Sequence, residues 1–140
     1  MADSPIHAPH AVAASAATAL DTLMADYEQW TMRVLADMRA ALAEAQAHPE
    51  ATAEPLRWIF DAAHDLKGQG SSFGYPLVTR VAQSLCRLGH SAPLDAFSPE
   101  RMRAVGAHLD VLVLLLEKRI KGDGGPVAAK LLARLEAMTG

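Results

Sequence analysis

Cysteine is nearly missing from this chain: Cys86 stands alone in 140 residues, so no internal disulfide can staple the fold. That fits a reducing compartment, with Cys86 as a small core residue, since no basic cluster surrounds it in sequence to activate a thiol. Aromatic residues make up only 5% of the chain, while Ala and Leu are abundant, which favours helices over sheets. No excess of positive charge exists; the net charge of −3 argues against nucleic acid as the main partner. Long apolar runs are missing too. The longest strongly apolar stretch, Val111 to Leu116, is far short of the ~20 residues a membrane span requires. The first residues carry Asp3 and no cluster of positive charge, unlike a secretory signal. A cytoplasmic protein without a membrane or nucleic-acid partner is expected.

What the chain does have is helical periodicity. Residues 1–10 contain Pro5, Pro9, His7 and His10 without a repeat and are expected to form a flexible tail. The remainder, 11–140, fits one domain. A first helix is expected from about Ala11 to Ala47, with Leu20, Leu23, Tyr27, Trp30, Val34, Met38 and Leu42 as its apolar stripe. A second should start at Thr52 as N-cap and run to Phe73, ended by Gly74. Pro76 opens a third, with Leu77, Val81, Leu85 and Leu88 inward and Gly89 closing it. Ser98-Pro99-Glu100 starts a fourth, carrying Met102, Val105, Leu109, Leu112, Val113, Leu116 and Ile120. After the glycines at 122–125, Pro126 opens a fifth with Val127, Leu131, Leu135 and Met138 inward. Short links between amphipathic helices give an all-α fold, an antiparallel four-helix bundle with one additional helix.

One segment breaks the local rules. On a wheel of about 100° per residue, Ile59, Ala62, Ala63, Leu66, Gly70 and Phe73 form a core stripe nearly opposite His64. Arg57, Phe60, Lys67, Gly68 and Ser71 lie beside His64 on the outer face, so the imidazole should point to solvent. Gly68 and Gly70 each cost a helix roughly 1 kcal/mol relative to alanine. Gly70 lies on the buried side, where it can let another helix approach. Gly68 faces outward one turn after His64, where a missing side chain clears space for another molecule. Lys67, three residues on from His64, places an ammonium where a phosphoryl group would need charge neutralised.

His64-Asp65-Leu66-Lys67-Gly68, with Gly74 ten residues after the histidine, resembles the His-x-x-Lys-Gly signature of histidine-containing phosphotransfer (HPt) domains. The resemblance covers about residues 20–138. It implies that His64 is the phospho-acceptor, that Lys67 stabilises phosphoryl charge and that Gly68 admits a receiver domain. The chain would then be a phosphoryl carrier between receiver domains of response regulators and hybrid histidine kinases. Arg57, Phe60, Asp61 and Ser71 are the expected partner contacts. Phe60 either packs under the first helix or forms an apolar docking patch with Leu56. No cofactor or metal is expected in the chain itself; the resemblance implies that the receiver brings Mg²⁺ and the acceptor aspartate. The glycines at 122–125 lack a following Lys-Ser/Thr, so no nucleotide site and no autokinase activity are expected. A monomer is expected. Two other readings are a bundle that binds receivers without phosphotransfer and a metal-binding bundle. The second is disfavoured because His48, His90 and His108 lack a Glu three residues before them.

Overall fold

A computed structural model describes residues 4–139, with side chains from Ala13 to Thr139. Five helices follow one another: α1 (Ser4–Ala47), α2 (Ala53–Gln69), α3 (Pro76–Gly89), α4 (Pro99–Glu117) and α5 (Gly125–Ala137). There is no strand among the described residues. Helix α1 packs on α2 and α4, and α3 packs on the same two, so the first four close into a ring. The links between them are short, which makes neighbours antiparallel. Helix α5 lies against α3 and α4. Leu132 and Leu135 are its buried side chains, and Arg80 of α3 grips Glu136 with two nitrogens at 2.8 and 3.1 Å.

The third and fourth helices bury the residues their periodicity assigns. Leu77, Val81, Leu85 and Leu88 are all in the core, as are Met102, Val105, Leu109, Leu112 and Leu116. Val113 is half-buried, and Ile120 follows the end of α4 as a half-buried residue. Ser98 caps α4 as expected, its hydroxyl accepting from the Arg101 amide at 3.1 Å. Thr52 behaves differently. It makes no cap bond, and its hydroxyl donates instead to the Leu94 carbonyl at 2.6 Å, tying the α3–α4 link to the start of α2.

The first and last helices match the expected stripes in part: Tyr27, Met38, Leu42 and Leu135 are buried, and Val34 and Leu131 are half-buried. In α1 the buried face is Tyr27, Thr31, Leu35, Met38, Leu42 and Ala45, while Leu20, Leu23 and Trp30 are exposed. At 44 residues α1 is about 66 Å long at 1.5 Å per residue, more than twice the length of any partner helix. It therefore extends beyond its partners, and from Ala13 to Asp26 only Met24 is even half-buried. Helical backbone also starts at Ser4, inside the stretch expected as a tail, and residues 1–3 of that stretch lie outside the described residues. The physical reason is that the alanine-rich run 11–19 has high helix propensity, and extending a helix costs far less than nucleating one. In α5, Val127 and Met138 are exposed and Leu132 takes the inward position.

One polar pair is sealed in the core. His108 of α4 is fully buried, with Nδ1 2.7 Å from the Ala104 carbonyl and Nε2 2.8 Å from the Ser84 hydroxyl of α3. A carbonyl only accepts, so Nδ1 carries the proton and Nε2 accepts from Ser84. Burial, the largest cause, holds the His108 pKa below its ordinary 6.5, helped by Arg87 and opposed by the Ala104 bond. The folded state thus binds fewer protons here than the unfolded chain. His108 stabilises fully above pH 6.5 and progressively less as pH falls from there through its lowered folded value. Denaturant unfolding from pH 8 to pH 5 should accordingly show a steeper acid-side loss for the native chain than for a Ser84→Ala/His108→Leu double variant. Equal slopes would show that His108 does not titrate with folding.

Candidate functional site

Helix α2 carries the site, and its rotation decides what the site can do. Leu56, Ile59, Ala62, Ala63 and Leu66 turn fully inward. His64 lies opposite that stripe and is exposed, in agreement with the wheel. The helix ends earlier than its pattern suggests. It stops at Gln69, and a 3-10 turn over Ser71–Phe73 follows, closed by Gly74 at φ 83°. The break occurs because α2 runs directly into α3 at Gly70. A Cβ on Gly70 would sit 2.6 Å from the Thr79 hydroxyl oxygen and 2.9 Å from the Tyr75 carbonyl oxygen. This is the close approach expected of that glycine.

Thr79 is a functional-site residue that sequence reasoning missed. Its hydroxyl donates to the Lys67 carbonyl at 3.1 Å and accepts from the Ser71 amide at 2.9 Å. The Ser71 hydroxyl lies 3.2 Å from the same oxygen. One side chain of α3 thereby fixes the backbone carrying Lys67. Ser71, expected as a partner contact, is exposed but already engaged with Thr79.

Arg57, Phe60, Asp61, His64 and Lys67 line one open groove between α2 and α3. Arg57, Asp61 and His64 are exposed, and Lys67 is half-buried. Cys86 and His90 of the α3 side line the same groove and were not expected there. Cys86 is half-buried; burial raises its thiol pKa, partly offset by the nearby Lys67 charge, so the thiol stays protonated at neutral pH. Gly68 and Ser71 lie outside the groove lining. A Cβ built on Gly68 meets nothing within 4 Å, so no neighbour inside the molecule requires a glycine there.

Phe60 is half-buried and lines the groove, as one of the two expectations had it, but without Leu56 as its companion. It packs against α3 instead of α1, edge-on to Phe97 at 5.7 Å between centroids. A Cβ on Gly89 would fall 2.7 Å from two atoms of the Phe60 ring. Gly89 was expected to terminate α3, yet it is still helical and His90 is the cap. Its missing side chain is a seat for Phe60. Leu56 is fully buried and belongs to no docking patch. The half-buried Phe60 ring is thus a wall of the groove.

Among the described residues no three His, Cys, Asp or Glu side chains gather as a metal site requires. No helix among the described residues is long and apolar enough to cross a membrane. An imidazole on a helix crest, beside an open groove and with no enclosing cavity, is accessible to a macromolecule that docks over it. The class defined by fold and site is a helical bundle that presents a histidine to protein partners. The Hpt domain family model matches residues 22–138, and the chain belongs to this family of phosphorelay histidine phosphotransfer domains. No curated protein and no solved structure matches the chain significantly.

The Phe60 seat has a measurable consequence. Gly89→Ala should destabilise the fold by about 1–3 kcal/mol through overpacking. Phe60→Ala should cost about 2–3 kcal/mol, below a fully buried phenylalanine because one side of the ring faces the groove. The double variant should recover part of the sum, since the alanine at 89 then meets no ring. Strict additivity in denaturant melts would contradict the contact.

Proposed function

We propose that the chain is a phosphoryl carrier that accepts on His64 from a receiver-domain aspartate and passes the group to another receiver. The observation that carries this reading is the exposed His64 imidazole on the crest of α2, next to the groove that also holds Lys67. Neutral imidazole is a nucleophile at physiological pH, and its nitrogen lone pair attacks the phosphorus of the aspartyl phosphate as the carboxylate leaves. The proton on the other ring nitrogen balances part of the charge formed. In the onward step a second receiver's carboxylate attacks the same phosphorus and imidazole is released. Transfer of this kind depends on alignment and charge neutralisation more than on covalent chemistry by the carrier. Lys67 supplies one positive charge at the groove edge, and its carbonyl is held by Thr79 so that the α2 backbone does not yield. Metal and acceptor aspartate belong to the receiver in this scheme. The chain acts as a carrier and not as a kinase, working as a monomer within the cell.

His64→Gln should abolish labelling by a phosphorylated receiver while changing stability by about 0.5 kcal/mol or less, as exposed substitutions do. Undiminished labelling of that variant, mapped to another histidine, would retire His64 as the acceptor. A receiver that binds the native chain in a stable complex without labelling it would instead favour the adaptor reading.

Gly68 separates folding from docking. Gly68→Ala should stabilise α2 by up to about 1 kcal/mol, because the added methyl meets open space. Gly68→Gln should keep the fold yet slow transfer at limiting receiver concentration by about tenfold, equivalent to about 1.4 kcal/mol. Native transfer rates in Gly68→Gln would mean that the partner does not approach over this position.

A further inference from the structure

His64 lines one groove beside α2, and a second groove, nearer the start of that helix, carries the opposite balance of charge. On the α3 side, Arg57 and Lys67 outnumber a single carboxylate, Asp61. On the α1 side a second groove runs between α1 and α2. Asp37, Ala41 and Glu44 of α1 and Glu54, Pro55 and Trp58 of α2 line it, with further alanines as its floor and no basic residue. Asp37 and Glu44 are two turns apart on one face of α1, and Glu54 and Trp58 one turn apart on α2. None of the three carboxylates enters an ion pair among the described residues. Trp58 is 45% exposed, a large apolar area for a surface side chain, and no cation among the described residues lies over its ring.

We propose that this groove is the specificity-determining half of the receiver-docking surface, and that it seats a basic segment of the receiver. The segment places an arginine or lysine side chain over the Trp58 indole and between the carboxylates of Asp37, Glu44 and Glu54. The inference rests on the phosphotransfer reading of His64 for the identity of the partner. Charge complementarity selects the occupant. A cation is attracted to the negative face of an indole ring and to unpaired carboxylates at once, whereas an acidic segment would meet three like charges. The alanine floor leaves depth for the aliphatic stem of a long basic side chain. Geometry permits one partner to use both features. Trp58 lies about 9 Å along the α2 axis from His64 and about 120° around it, well inside the roughly 800 Å² that a partner covers in a standard interface. A receiver bound this way would set its phosphorylated aspartate over the basic groove, against Lys67, while its basic segment holds the acidic one. The opposed charges fix which way round the receiver sits.

The test measures affinity separately from chemistry. Each receiver domain of the source organism is titrated calorimetrically into the native chain and into His64→Gln at about 150 mM salt. The titrations are repeated with Asp37→Lys/Glu44→Lys/Glu54→Lys, with Trp58→Ala, and with a control that reverses the exposed Glu117 and Asp123 elsewhere on the molecule. Circular dichroism confirms that each variant folds. The expected result is a Kd raised about tenfold or more by the triple reversal and several-fold by Trp58→Ala, with less than about a twofold change in the control. A Kd that the triple reversal leaves unchanged overturns the proposal, as does the failure of every receiver to bind the native chain. Light scattering that shows a dimer dispersed by the same reversal also overturns it, assigning the groove to a second copy. Receivers that bind through the groove but place no label on His64 would leave this assignment standing and remove the phosphotransfer reading alone.

Discussion

Helix α2 is held against α3 at two points, each of which requires a glycine. At Gly70 the backbone of α2 lies against Thr79 and the Tyr75 carbonyl. Ten residues earlier, the Phe60 ring rests on the backbone of α3 at Gly89. These contacts are about 15 Å apart along the helix axis, and together they fix both the tilt of α2 and its rotation. A packed interior offers no intermediate positions, so a change at either point would have to move the whole helix. His64 stands between the two pins. Its exposure follows from them as much as from its own polarity.

The same arrangement explains why a short polar network surrounds the end of α2. A helix that stops against another helix leaves carbonyls with no intrahelical partner. Thr79 answers part of that need at Lys67 and simultaneously holds the Ser71 amide. The threonine does with one hydroxyl what a longer capping loop would do with several residues, and it keeps the basic side chain of the site on an immobile base. Mobility at this position would cost a carrier directly, because transfer depends on aligning three groups on two proteins.

The sequence made α2 legible because its signals agree: a dense apolar stripe, an exposed histidine opposite it, and glycines where helix propensity alone would forbid them. The third and fourth helices were legible for the simpler reason that most residues of their apolar stripes are the buried ones. The first and last were read only in part, through one assumption, that large apolar residues point inward. In α1 the inward face includes Thr31 and Ala45, while Leu20 and Leu23 stay exposed. Periodicity reports which residues share a face; it does not report whether anything covers that face. The roles of Gly89 and Thr79 were unreadable for a related reason. Each depends on a contact across the bundle, Gly89 with Phe60 and Thr79 with Lys67, and nothing local distinguishes either from a helix terminator or a surface threonine.

An open site of this kind places its own demand on the surface around it. A carrier has no cavity in which to sequester its substrate, so selectivity has to come from what docks, and docking energy at a small exposed interface is modest. Electrostatics is the efficient means under that limit, since it orients a partner before contact and rejects like-charged surfaces. The apolar share must stay small, because a large exposed patch would invite association with anything. Near His64 those conditions are met by residues that are individually ordinary: a half-buried phenylalanine wall, one exposed tryptophan, a groove in which two cations outnumber one carboxylate, and a second lined by carboxylates alone. None of them is a catalytic group, and the transfer proposed for His64 would be only as selective as their arrangement makes it.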